Sequence, residues 1–249
     1  MYSNSLLKIA MIIAIVNLVS PMARGGKFEE ENIEKKYGLV ITGSWNSLKN
    51  EKLNEEYIVE WTAGSDKINS GYGFSADLRY YISSKISVSG GVLYMNGSSI
   101  YDRIIDPVFG SDTITEDYVK TRILAPSFCL RYHIYLERVD FSLGVSEFLL
   151  FGKASRHHTL DITLGEFFVL ENEYYSTGIG IQLYGGLQYK LNGFASYIME
   201  AGYRHFKTGD LIEKETDVAF RSSLGRSGEP INLDYSGPYI SAGLMFGLF

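Results

Sequence analysis

The residues able to do chemistry are few and scattered. The chain holds four histidines and one cysteine. His157 and His158 lie near Ser155 and Asp161, placing a nucleophile, a base and an acid within a few positions. Nucleophilic catalysis needs a base held by a partner beside the attacking atom. In an extended segment, however, successive side chains point to opposite faces, so at most one of these histidines enters a common site. The run Ser155-Arg156-His157-His158-Thr159 is therefore read as a solvated rim. His205 beside Arg204 is equally isolated. His157 or His158 with Asp161 is too sparse a ligand set for a metal. A single thiol, Cys129, makes neither an internal disulfide nor a cysteine cluster, and it is read as packed. These residues predict no catalytic centre, no metal and no cofactor.

A second group, Asp77, Arg79, Arg131, Glu147, Glu200 and Arg204, gains meaning only from the elements that carry it. Beyond residue 36 the hydrophobic period is two rather than 3.6. In residues 71–82, Tyr72, Phe74, Ala76, Leu78, Tyr80 and Ile82 share one face, while Gly71, Gly73, Ser75, Asp77, Arg79 and Tyr81 share the other. Residues 175–191 repeat the pattern. Similar runs at 37–46, 86–97, 118–136, 139–153, 194–206 and 235–249 bring the expected strands to eight. Their connections alternate in length. Ser83-Ser84-Lys85, Glu137-Arg138 and Asn192-Gly193 are short, the last being a strong two-residue hairpin signal. Residues 47–69, 98–117, 154–174 and 207–234 are long and polar. The reading is an all-β fold, an eight-stranded antiparallel up-and-down barrel. Its strands match the roughly nine to eleven residues a tilted strand needs to cross a bilayer.

The two faces decide the environment. One face is rich in small residues, among them Gly73, Ser75, Ser87, Ser89, Gly91, Ser127, Ser142 and Gly144. These suit the crowded interior of an eight-stranded barrel. The bulky aliphatic and aromatic face then covers the outside, where lipid tolerates it and water would not. Aromatics on that face gather towards two levels: Tyr37, Tyr80, Tyr132 and Tyr189 near the short turns, and Trp45, Tyr72, Tyr94, Phe151, Tyr175, Tyr203 and Tyr235 towards the long loops. Two girdles are expected where amphipathic rings meet headgroups. The charges Asp77, Arg79, Arg131, Glu200 and Arg204 face inward with His133, Gln182 and Lys190. Unpaired charge in a narrow lumen is costly, so they are expected to pair into a plug. Simple alternation would aim Glu147 at lipid, and a bulge near Val145-Ser146 is expected to turn it into the network.

Composition closes off other classes. Apolar residues make up 45% and charged residues 21% of 249 positions, with a formal net charge of −6. Mean hydropathy is −0.03. Too much apolar material is present for disorder, the mild acidity opposes nucleic-acid binding, and no stretch offers the ~18–20 apolar residues of a spanning helix. Residues 1–25 read as a signal peptide: a polar start with Lys8, an apolar run at 9–19, then Pro21, Ala23 and Gly25. Residues 26–36 follow as a short charged periplasmic segment, and residues 37–249 form the barrel domain.

A signal peptide, eight alternating strands, long outer loops and a terminal Phe249 resemble the small OmpA/OmpX-type, opacity-like outer-membrane barrels of Gram-negative bacteria. The resemblance covers residues 37–249 and is one of pattern. Barrels of that kind end in an insertion signal, to which Ser241, Gly243, Phe246, Leu248 and Phe249 correspond. It implies an outer-membrane location, with the barrel assembly machinery and periplasmic chaperones as partners during biogenesis and lipid and lipopolysaccharide as surroundings. A monomer is expected, with an extracellular partner possible through the loops and no nucleic acid.

The functional reading is a structural or surface-interacting protein, serving envelope integrity or adhesion, with a charge-plugged lumen and no enzymatic activity. The alternatives are narrow-channel passage of small solutes, lipid A modification, and a soluble lipocalin-like ligand-binding barrel. The last is suggested by Gly43-Ser44-Trp45.

Overall fold

The computed structural model of the chain describes residues 37–50, 53–54, 68–100, 104–105, 114–136, 139–162, 166–213 and 230–248. The expected signal peptide, the charged segment 26–36 and Phe249 lie outside the described residues. Eight long strands follow the period-two pattern: β1 (Tyr37–Ser47), β2 (Ser70–Ser83), β3 (Ile86–Ile100), β4 (Ile114–Leu136), β5 (Val139–Ile162), β6 (Glu166–Lys190), β7 (Ala195–Asp210) and β8 (Gly237–Gly247). Each pairs antiparallel with its neighbours in sequence, and β8 pairs with β1 through Gly38↔Gly247 to Asn46↔Tyr239. The ring is closed, which removes every free edge from the sheet. Short strands Ile104–Ile105, Ile212–Glu213 and Asn232–Asp234 add to β4, β6 and β7 at the loop end.

Two expectations about the connections change. The segment 154–174 is no loop: β5 and β6 run to 24 and 25 residues, in register without a shift from Val139↔Tyr189 to Ile162↔Glu166. The β-branched and aromatic residues Thr159, Ile162, Phe167, Phe168 and Val169 favour the extended chain there. The Asn192-Gly193 connection is wider than two residues. Asn192 Oδ1 accepts from the backbone N–H groups of Phe194 and Ala195, both at 2.8 Å. The side chain thus closes the turn that a pair of left-handed residues would otherwise form.

The interior has two halves. Towards the loops it is apolar: Leu93, Met95, Ile123, Phe148, Leu150 and Phe206 from the wall pack with Leu48, Leu53, Ile68, Leu211, Ile231, Leu233 and Tyr235 from the connecting segments. Those segments fold inward and are tied together. Asn50 donates its backbone N–H to the Asp234 carbonyl at 2.9 Å, and Asn54 Oδ1 accepts from the Ile68 N–H at 2.8 Å. Tyr235, expected in the outer aromatic girdle, is instead inside, its hydroxyl bonded to Thr121 Oγ1. Towards the short turns the interior is polar. Small residues there make room for large ones: a Cβ at Gly144 would collide with the Tyr184 ring, and one at Gly91 with the Asp77 carboxylate.

Candidate functional site: lumen and exterior belt

Alternation sends even positions of β1 and odd positions of β2 and β3 inward, and this fixes what meets in the lumen. Among the described residues the polar half holds three guanidiniums, Arg79, Arg131 and Arg204, against three carboxylates, Asp77, Asp140 and Glu200. Arg131 Nη2 lies 3.4 Å from Glu200 Oε1, with both side chains buried. Arg131 also donates to Ser89 Oγ at 2.8 Å and stands over the Tyr184 ring. Among the described residues no carboxylate touches Arg204. Its Nε donates to Gln182 Oε1 at 2.6 Å, its Nη1 to Asn46 Oδ1, and its guanidinium lies 3.8 Å from the Tyr239 ring centroid. Arg79 donates to Gln188 Oε1 at 3.0 Å. Asp77 accepts from Ser75 Oγ at 3.1 Å. Among the described residues the lumen is thus held by one arginine–carboxylate pair and by several charges on neutral hydrogen-bonding and aromatic partners.

Glu147 is a correction. The ladders flanking β5 run on without a bulge, pairing Phe128↔Glu147 and Glu147↔Ile181. Glu147 is exposed on the outside between Val145 and Leu149, away from the lumen charges. Strict pairing with two long neighbours prevails over the local cost of an outward carboxylate.

A triad that sequence reasoning missed lies at the short-turn end. Ser87 Oγ is 2.7 Å from His133 Nε2, and His133 Nδ1 is 2.8 Å from Asp140 Oδ2. Nucleophile, base and orienting acid stand in the order that activates a serine. Yet Ser87 is 0% and His133 1% exposed, with the Tyr81 ring 5.3 Å from the imidazole. No reactant reaches the hydroxyl in this arrangement, and the geometry is that of a latch joining β3, β4 and β5. A signal existed in the sequence: folding the chain about Glu137-Arg138 puts His133 and Asp140 on the inward face of one hairpin. Cys129 is also inward, its sulfur 2.9 Å from the Tyr184 hydroxyl. Lys190 is exposed at the short-turn rim.

His157 and His158 occupy the β5 extension, their backbones opposite Tyr118 and Asp117 on β4 and Glu171 and Leu170 on β6. Below that extension Lys153 pairs with Glu173, and its Nζ lies 5.4 Å from the Tyr175 ring centroid. The hydrogen bond to the Glu173 carboxylate holds the Lys153 ammonium above the ordinary lysine range.

A belt of exposed apolar side chains runs around the ring. Tyr72 is 69% and Phe74 66% exposed, and Leu78, Phe128, Leu143, Leu183 and Ile240 are each more than half exposed. Water would not leave such a belt dispersed; this is the exterior of an outer-membrane-type barrel. Tyr37, Tyr80, Tyr132 and Tyr189 face outward at the short-turn side, with the Tyr37 and Tyr80 rings 5.0 Å apart. Trp45, Tyr72, Tyr94, Tyr175 and Tyr203 face outward at the loop side. Trp45 stands on the lipid face, opposite to what a soluble ligand-binding barrel requires. In β8, Ser241 and Gly243 belong to the lumen face, while Phe246 and Leu248 face outward. The Phe246 ring sits 5.7 Å from that of Phe194.

No protein-family model and no curated protein sequence matches the chain. Similar solved structures include the outer membrane protein OprG from Pseudomonas aeruginosa, at 11% identity and TM-score 0.41 over 85% of this chain and 95% of that one. Neisserial surface protein A gives 13% and 0.37 over 85% and 96%. The outer membrane protease OmpT from Escherichia coli gives 11% and 0.38 over 89% and 99%. The barrel itself is defined by its own ring of hydrogen bonds.

Proposed function

We propose that this is an integral outer-membrane barrel that acts through its surface, as a structural or surface-contact protein of the envelope, and neither conducts solutes nor catalyses a reaction. The observation that carries the reading is the filled lumen. An apolar core at the loop end, including Leu53, Ile68, Leu211, Ile231 and Leu233 at 1% exposure or less, sits above a polar half crossed by the Arg131–Glu200 pair. Eight strands enclose only enough room for side chains, and here side chains take it. The parts left to meet an extracellular partner are the outer ends of the strands, above all the β5–β6 ribbon beyond Phe151.

Planar-bilayer recording of the folded protein is the direct test. The reading expects the baseline conductance of a protein-free membrane, and discrete openings would overturn it in favour of solute passage. Lipid A mass spectra of cells with and without the protein are expected to coincide. A deacylated or acyl-transferred species that appears only with the protein would establish the enzymatic alternative.

A further inference from the structure

The outer face of β5, β6 and β7 carries a feature that lipid alone does not satisfy. Glu147 stands in the belt with apolar residues on every side, Val145 and Leu149 along its strand and Phe128 and Ile181 across the ladders. It makes no hydrogen bond or ion pair among the described residues. On β1, β2, β3 and β8 the described outward positions hold no charge at all. A lone carboxylate facing lipid is costly, and ionisable groups at such depth are kept where something meets them.

Two further observations lie on the same face. His205 is exposed on the outside of β7 and is the ladder partner of Ile181. Glu147, Ile181 and His205 therefore form one hydrogen-bonded row, with the acid on β5 and the base on β7. Towards the short turns, Leu143, Gly185, Ala201 and Ile240 form a parallel row. Gly185 and Ala201 project almost nothing from the surface. With Leu187 and Met199 they floor a concavity of about 580 Å³.

We propose that this face is the interface between two copies of the chain in the membrane, related by a two-fold axis along the membrane normal that passes beside β6. Such an axis sets β5 of one copy against β7 of the other twice over. Glu147 of each copy then meets the partner's His205, so both charged rows are answered in one closed contact. The notch over Gly185 and Ala201 lets the two walls approach closely, as small residues do between spanning helices. The phosphates of lipid A are anionic and do not answer a carboxylate; a second copy brings its own imidazole. The proposal takes the place of the monomer expected from the sequence, and it rests on the membrane-spanning reading above.

The test is oxidative cross-linking of the full chain in outer-membrane vesicles. The one native thiol, Cys129, is buried in the lumen. Leu183→Cys places a thiol on the outer face of β6 beside the axis, and Leu78→Cys places one on β2 across the barrel. A disulfide-linked dimer is expected for Leu183→Cys and none for Leu78→Cys. In the Leu183→Cys background, Glu147→Gln and His205→Ala are each expected to remove most of the dimer. The exchanged pair, Glu147→His with His205→Glu, is expected to restore it. Folding is followed by the mobility shift of unboiled samples, and Glu147→Gln should fold at least as well as its parent because it removes a charge from lipid. Equal cross-linking at both sites, no cross-linking, a product with the mass of a different protein, or a dimer indifferent to Glu147→Gln would each overturn the interface. A barrel that stays dispersed without detergent would instead overturn the membrane reading itself.

Discussion

Arg131 on β4 and Glu200 on β7 touch at 3.4 Å although two strands separate them around the ring. The contact runs through the lumen and cross-braces opposite walls. Removing one member leaves the other buried without its counter-charge, which typically costs about 3–5 kcal/mol. Glu200→Gln and Arg131→Met are each expected to lower the unfolding free energy, read from urea titration of the folded, heat-modifiable band, by a loss in that range. Arg131→Met with Glu200→Leu should recover part of it, because neither member of the pair is then left facing an absent partner.

Tyr184 occupies the space over Gly144, where a Cβ would collide with its ring. Gly144→Val forces that ring aside and disturbs its contact with Cys129 and its place beneath Arg131. Overpacking of this kind costs about 1–3 kcal/mol. The same urea titration reads the loss, and Gly43→Ala on the outer face of β1, where only the Phe74 ring comes within 4 Å of an added Cβ, should leave the midpoint almost unmoved.

The Ser87–His133–Asp140 arrangement has the geometry of an activated serine and the burial of a core residue. A fluorophosphonate probe offered to the folded barrel is expected to leave Ser87 unlabelled in peptide mass spectra. Asp140→Ala and His133→Ala should weaken the barrel, because each leaves a buried polar partner without its hydrogen bond at a cost of about 1–3 kcal/mol. Labelling of Ser87 that disappears in His133→Ala would make the latch a catalytic centre.

On the lipid side, Phe74→Arg places a guanidinium in the belt of β2, away from the face that carries Glu147. A cationic side chain near the bilayer midplane costs about 2–4 kcal/mol. The folded fraction recovered in lipid vesicles should fall accordingly, while Thr42→Ser, on the lumen face of the neighbouring strand, should fold as the parent does.

The loop-end core is open to the same kind of test. Phe206→Ala and Leu233→Ala each remove a fully buried side chain, and losses of about 3–5 and 2–5 kcal/mol respectively are expected from the cavities left behind. Bilayer recordings of Leu233→Ala should stay closed, because the neighbouring Leu211, Ile231 and Tyr235 still fill the lumen.

Much of the wall was legible because alternation is a local signal. In residues 71–82, all six outward and all six inward assignments follow from period two alone. What escaped depends on relations between strands. Glu147 was misread because its cost in lipid suggested a backbone bulge, whereas long in-register neighbours hold β5 straight. The apolar loop-end core was hidden for a different reason. Leu53, Ile68, Leu211 and Ile231 lie in polar connections without periodicity, and only the folding of those connections into the barrel mouth gathers them. The triad needed register as well as parity, since Ser87, His133 and Asp140 come from three strands. The β5–β6 extension was masked by its charges, which read as a loop although Thr159, Ile162 and Val169 favour strand.

That ribbon gives the molecule reach. From Phe151 at the edge of the belt to Ile162, eleven steps at about 3.3 Å each carry the chain about 36 Å along the strand. The pairing is unbroken throughout, so the ribbon is a mast and not a tether. A foreign peptide spliced between Ile162 and Glu166 would ride at the head of that mast, clear of the bilayer and of the residues that hold the barrel shut, where an antibody has the most room to take hold.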